Sequence, residues 1–375
     1  MKRPRVLPAV VVVAVLLLGS ELGGSASAQL LRTGPLVEHW DGASWTQLAV
    51  PSGGTWLDAV VAPSARDVWA FGPSRVAVHW DGTSWQRVSL PIPPGSAAPQ
   101  ILGAAALSPD DIWAVGGVSR VNGPEQALIV HWNGSRWQLV PGPPKNRYSL
   151  YGVAALSAKN VWAVGETGVS TATGGGLRTL TLHWNGRAWK RVPSPNPTTR
   201  MTSSASFNDT LAAVAGSSSR DVWAVGQYYV KTNGTRGSRS LVLHWNGTRW
   251  KQVPTPDPLT PGHASYLLGV AAPSATGVSA VGRVNRYGAG HALAEFWNGA
   301  RWRIVHTAGP PLTGVSAVGA DDAWAAGGPS GGGDVVHWNG RAWTVATKLD
   351  RSRELVAVAQ FSPTHVWAVG GLIKH

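Results

Sequence analysis

The chain has 375 residues, enough for one large domain or two smaller ones. Charged residues make up only 14% of it while Gly (46), Pro (27) and Trp (21) are abundant, which suits many short strands and turns and excludes a fold of long, salt-bridged helices. With no cysteine, the chain has no disulfide, thiolate metal site, cysteine nucleophile or cysteine-borne lipid, and its charge of +13 identifies no partner although acidic polymers, anionic lipid and nucleic acid would all suit it.

The first predicted element is a targeting segment. Lys2, Arg3 and Arg5 precede an apolar run (6–18), and Ala26-Ser27-Ala28 supplies a small-residue cleavage pattern, so 1–28 reads as a signal peptide and the mature chain as starting at Gln29. The run is too short for a convincing membrane span and no second one follows, which predicts a secreted, extracytoplasmic protein of the cell envelope. A linker (29–35) leads to the repeats.

From residue 36 onward two motifs alternate. The first is HWDGASW (39–45), HWDGTSW (79–85), HWNGSRW (131–137), HWNGRAW (183–189), HWNGTRW (244–250), FWNGARW (296–302) and HWNGRAW (337–343). The second is DVWAFG (67–72), DIWAVG (111–116), NVWAVG (160–165), DVWAVG (221–226), GVSAVG (277–282), DAWAAG (322–327) and HVWAVG (365–370). Copies of the first are spaced by 40 to 61 residues, and each unit divides into four strands. Strand a is a small-residue apolar run such as LLGVAAPS (267–274), and strand b is VWAVG. Strand c alternates, as in LVLHW (241–245), and the Asn-Gly or Asp-Gly step turns it into strand d. Pro-rich stretches such as PTPDP (254–258) end strand d. Four-stranded antiparallel units repeated seven times predict an all-β, seven-bladed β-propeller. The repeats open on a c–d hairpin (36–50) and end on an a–b hairpin (355–371), so these two halves are expected to form one blade and close the ring, hiding strand edges. The propeller is assigned to 36–375, as a monomer.

The Gly pairs after strand b (Gly116-Gly117, Gly327-Gly328, Gly370-Gly371), the hairpin and the W-x-x-[LV] that follows are similar to kelch-repeat propellers. The W-[DN]-G-x-x-W hairpin resembles the Asp-box of sialidase-type propellers, with a different Ser and Asp spacing. The repeat pair as a whole, over 36–371, resembles exported bacterial propellers of unassigned function. The resemblance implies the fold and leaves the activity open.

Residues present once per blade read as packing, and twenty of the 21 tryptophans fall in the two motifs. The repeated His and the Asp of strand b vary together: Phe296 replaces the His in the one unit where Gly277 and Ser279 replace Asp and Trp. That covariation predicts a His–Asp hydrogen bond of the kind found in WD-repeat propellers, which His365 beside His39 does not fit. Histidines one blade apart do not converge on a metal. Arg136, Arg187, Arg249, Arg301 and Arg341 form a basic rim, read as a solvated edge with polyanion docking as the alternative.

Function is expected where the repeats diverge, on the face of the b–c and d–a loops. The long ones are 165–178, 193–210, 227–240 and 254–266. Tyr148, Tyr228, Tyr229, Tyr266 and Tyr287 lie in or beside such loops with Tyr151; Trp56 precedes a strand a, and Lys231 and Arg286 stand among further bases (Lys145, Arg147, Arg178, Arg200, Arg236, Arg239, Arg283). Tyr148, Tyr228, Tyr229, Tyr266, Tyr287, Trp56, Lys231 and Arg286 are the candidate binding residues, of a kind that suits a glycan, an anionic envelope polymer or a protein partner. No catalytic residue, metal ligand, cofactor or specific nucleic acid is assigned. The alternative, a carbohydrate-active hydrolase or lyase at the central opening, has only Glu125, Glu166, Asp209, Asp257 and Glu295 to draw on. A copper-oxidase site of the kelch-like kind needs the cysteine that is absent, and no G-x-S-x-G or H-E-x-x-H motif occurs.

Overall fold

The computed structural model describes residues 10–11, 31–51, 56–73, 75–120, 123–144, 148–171, 174–198, 208–232, 235–256, 264–286, 289–307, 309–328 and 333–374. Seven antiparallel sheets follow one another around a ring, and their a strands touch in sequence until the last meets the first. The first blade is built of Ala59–Ser64, Asp67–Phe71, Val76–Trp80 and Trp85–Ser89 in the order a, b, c, d. The next five repeat that order. The seventh joins the two ends of the repeat region: Arg353–Ser362 and His365–Lys374 supply a and b, while Leu31–Trp40 and Trp45–Gln47 supply c and d. The closing register runs from Leu31↔Lys374 to Trp40↔Val366, so residues 31–35, expected in the linker, belong to the sheet. Val10–Val11, within the predicted signal segment, pair with Ala105–Ala106 and touch the a strands of several other blades, in the central channel.

Two glycine positions explain why the repeat is so strict. The hairpin glycine (Gly42, Gly82, Gly134, Gly186, Gly247, Gly299, Gly340) has φ between 85° and 99°, the left-handed region that an L side chain avoids. Before it, the Asp or Asn side chain folds the turn: the Ala43 and Ser44 amides each donate to Asp41 Oδ1 at 2.8 Å, and the Thr248 and Arg249 amides to Asn246 Oδ1 at 3.1 Å. The second position ends strand b. In most blades strand a carries a bulge opposite it, between Leu211 and Ala213 for example, and a Cβ on Gly226 would lie 2.0 Å from the Thr210 carbonyl oxygen.

Blade-to-blade packing is carried by indoles. Across each hairpin the two tryptophans stand with centroids 5.7–6.0 Å apart. The strand-b Trp of one blade then inserts against the hairpin pair of the next. Trp69 meets Trp132 at 4.9 Å and Trp137 at 5.3 Å, Trp113 meets Trp184 and Trp189, and Trp162 meets Trp245 and Trp250. Trp223 does the same with Trp297 and Trp302, Trp324 with Trp40 and Trp45, and Trp367 with Trp80 and Trp85. The contact with the strand-d indole is edge-to-face in every case, the arrangement that the ring quadrupole favours. The fifth blade has Ser279 in place of the inserted indole, and Phe296 fills the gap at 5.5 Å from Trp338. Trp223 is buried in this contact. Trp223→Ala is therefore expected to cost about 3–5 kcal/mol, read as a lower denaturation midpoint at unchanged m value, whereas Ser279→Ala should cost under about 1 kcal/mol.

Candidate functional site

The repeated histidine has a structural partner in five blades. His79, His131, His244 and His337 donate from Nε2 to Asp67, Asp111, Asp221 and Asp322 at 2.7–2.9 Å, and His183 donates to Asn160 at 2.9 Å. Each imidazole also lies on the strand-b indole of its own blade at 4.1–4.6 Å. His39 stacks on Trp367 at 4.2 Å, but its Asp is replaced by His365, and its Nε2 is buried without a hydrogen-bond partner among the described residues. Burial lowers the pKa of His183 and of His39, helped in His39 by the charge of His365. Burial would raise Asp221, but the bonds from His244, Ser217 and Trp223 outweigh it and hold the carboxyl below its ordinary value.

The divergent face is more regular than its sequence suggests. The segments 165–178 and 227–240, expected as loops, are outward continuations of strands b and c. Pairing runs to Thr171↔Gly174 in the third blade and to Thr232↔Thr235 in the fourth. Tyr228 and Tyr229 thus sit on a projecting hairpin, opposite Arg239 and Ser238. Both are half-buried, and Tyr228 packs on the core that contains Tyr266. At the base of this hairpin Arg178 donates to Asp209 at 3.2 Å and to the Thr198 carbonyl at 2.8 Å. Thr198 Oγ1 donates to Asp209 and lies 2.9 Å from the Tyr229 carbonyl. Burial raises the Asp209 pKa against these bonds. Around this knot the Tyr229 hydroxyl, Gln227 Oε1 and Thr210 Oγ1 are buried without hydrogen-bond partners among the described residues.

A cleft of about 370 Å³ opens on the neighbouring fifth blade, lined by Val284, Leu293, Ile304, His291, His306 and Thr307 among others. Its floor is apolar, its two imidazoles are exposed, and Ile304 is 43% exposed at the rim. His291 and His306 have no counterpart in the repeats, and that singularity was the sequence signal that could have found them.

The candidate residues do not gather in one place. Tyr228, Tyr229 and Tyr266 occupy adjacent blades, with the Arg283 guanidinium 4.6 Å from the Tyr266 ring. Tyr266 is 8% exposed and Tyr148 4%, so both support the face from beneath. The Tyr148 hydroxyl donates to the Pro143 carbonyl, and Arg191 covers its ring. Trp56, half-buried, lies at the closing blade against Gly371. Lys231 and Arg286 lie on strands of the projecting hairpins, while Tyr287 and the side chains of Lys231 and Arg286 are outside the described residues. No group of three or more His, Asp or Glu able to hold a metal occurs among the described residues. No helix there is long and apolar enough to cross a membrane.

No family model matches this chain, and no curated protein sequence matches it. Solved structures do. YCF48 from Cyanidioschyzon merolae is 16% identical, with a TM-score of 0.53 over 88% of this chain and 98% of that one. YCF48 bound to D1 peptide is 14% identical, with a TM-score of 0.52 over 90% and 94%. An ulvan lyase of a new polysaccharide lyase family, bound to -[GlcA(1-4)Rha3S]-, is 10% identical, with a TM-score of 0.51 over 91% and 96%. At these identities the likeness is one of fold, and the fold is the seven-bladed propeller.

His183 offers a test of the His–partner reading. Its lowered pKa means that the neutral form is favoured on folding, so its contribution is complete above the ordinary histidine value and is lost as pH falls through the lowered one. Asn160→Asp supplies the carboxylate present in four other blades and is expected to raise the His183 pKa, measured by NMR titration. The variant's stability relative to the parent should then increase as pH falls from about 7 to about 5.

Proposed function

We propose that the protein is an exported binding propeller that recognises a cell-envelope glycan or a protein partner on the face of the b–c and d–a connections. The cleft on the fifth blade carries this reading: about 370 Å³ of space with an apolar floor and His291, His306 and Thr307 as polar groups, the composition of a small recognition pocket. The projecting hairpin of the fourth blade, with Tyr228 and Tyr229, stands on the adjacent blade and extends the surface beyond one ligand unit. Cleavage after Ala28 would remove Val10–Val11 from the channel. The chain acts as a monomer, and its repeat is kelch-like with an Asp-box-like hairpin.

A hydrolase or lyase at the central opening has less support. Three buried acids of this face hold structural bonds: Asp209 with Thr198 and Arg178, Glu295 with Thr255, Asp58 with Gln100 at 2.9 Å. Among the fold neighbours, one is bound to a peptide and one is a lyase bound to a saccharide, so their ligands do not choose between the readings.

A glycan array and a pull-down from envelope extract, each run with the parent and with His291→Ala/His306→Ala, test the proposal. Both histidines are exposed, so the variant should melt with the parent while binding at least about tenfold more weakly, equivalent to about 1.4 kcal/mol. Unchanged binding of every ligand found would remove the cleft from the site.

A further inference from the structure

The face opposite the cleft, formed by the a–b turns and c–d hairpins, is divided by charge. In four consecutive blades each presents an exposed carboxylate there: Asp321 in the sixth, Asp41 in the closing blade, Asp81 in the first and Asp110 in the second. In the other three, the third to the fifth, no carboxylate is exposed among the described residues. Each of these instead carries an exposed hairpin arginine and an exposed strand-d base: Arg187 with Lys190, Arg249 with Lys251, Arg301 with Arg303. The a–b turns add Lys159 and Arg220, also exposed. None of these eight makes an ion pair among the described residues.

The acids of this arc are missing at positions where the fold tolerates either state. The hairpin turn is folded equally by Asp41 or Asp81 and by the neutral Asn185, Asn246 and Asn298, whose Oδ1 atoms accept the same two amides. The partner of the repeated His is Asn160 in the third blade, and Gly277 takes that position in the fifth. Neutral residues thus hold the hairpin turn in all three blades of the arc, as Asn133 and Asn339 do in the second and sixth blades. Asp221, the one acid the arc keeps at these positions, is tied to His244 at 2.8 Å.

We propose that this arc is a second binding surface, on the face away from the cleft, for a linear acidic polysaccharide whose carboxylate or sulfate groups meet the bases of three successive blades. Two or three cations per blade along a curved rim suit a chain with charge on repeating units. Nucleic acid is disfavoured because the indoles beside these bases have their rings against neighbouring indoles, Trp245 at 4.9 Å from Trp162 and 5.9 Å from Trp250, leaving little face for base stacking. An anionic membrane is disfavoured because the turn tips, Asn-Gly followed by Arg-Ala, Thr-Arg or Ala-Arg, offer no large apolar anchor.

Polygalacturonate binding by the full chain at about 50 mM salt is the test, with Arg187→Gln/Arg249→Gln/Arg301→Gln compared against Arg66→Gln/Arg136→Gln/Arg341→Gln. Both triples remove the same charge from exposed turn positions, and equal melting temperatures confirm that both fold. The first is expected to bind at least about tenfold more weakly and the second within about twofold of the parent, with a shallower salt dependence only in the first. His291→Ala/His306→Ala should leave this binding unchanged, which separates it from the cleft. Equal losses in the two triples, loss in the cleft variant, no binding at all, or tighter binding to oligothymidylate or to phosphatidylglycerol vesicles would each overturn the proposal.

Discussion

Each strand-b indole stands edge-on to a hairpin indole of the following blade, and the ring depends on that contact. Strand pairing is satisfied within a blade and says nothing about how blades are disposed. The indole reaches across, and because the same contact recurs it sets a similar relation at interface after interface. The repeated histidine packs on the indole, stacked or tilted, and bonds to the head of strand b, so it helps to orient the inserting ring. The hairpin and bulge glycines are the backbone conditions for the two halves of the contact. Where the indole is missing, at Ser279, the histidine is missing too and Phe296 takes up the space. The position is filled as a unit or replaced as a unit.

This is why the fold was legible. A contact made once per blade leaves a mark once per blade, and the HWNGxxW and VWAVG copies are that mark. The His–Asp bond could be read as well, since the chain varies both partners together at Phe296, Gly277 and Ser279. Closure by the two terminal half-blades followed from their order.

The site was less legible, for reasons visible in particular residues. The stretch 227–240 is polar and rich in Gly, Ser and Thr, and so reads as a loop. It pairs as strand because a strongly held ladder, from Val222↔Trp245 outward, extends into it. Tyr148 looked like a loop aromatic, yet it is two residues before Leu150 and so shares that residue's buried face, which strict alternation would have shown. His291 and His306 line one cleft only because strand c and the segment after strand d are neighbours in one blade. The division of charge on the opposite face was hidden in the same way: single arginines carry no signal until the ring order places the acid-free blades side by side.

The repeats therefore supply a rigid wheel, and the two faces that vary upon it carry opposite kinds of chemistry, a shallow aromatic and imidazole surface on one and an arc of bare positive charge on the other. All of this requires that the ring be closed by the first hairpin and the last. Thermal unfolding of the chain with residues 29–50 deleted tests that requirement most directly. Closure predicts a midpoint lower by more than about 10 °C and a broadened transition, because the last sheet loses two strands and the Trp324 indole loses Trp40 and Trp45. A deleted chain that melts as cooperatively as the parent and at the same temperature would contradict it.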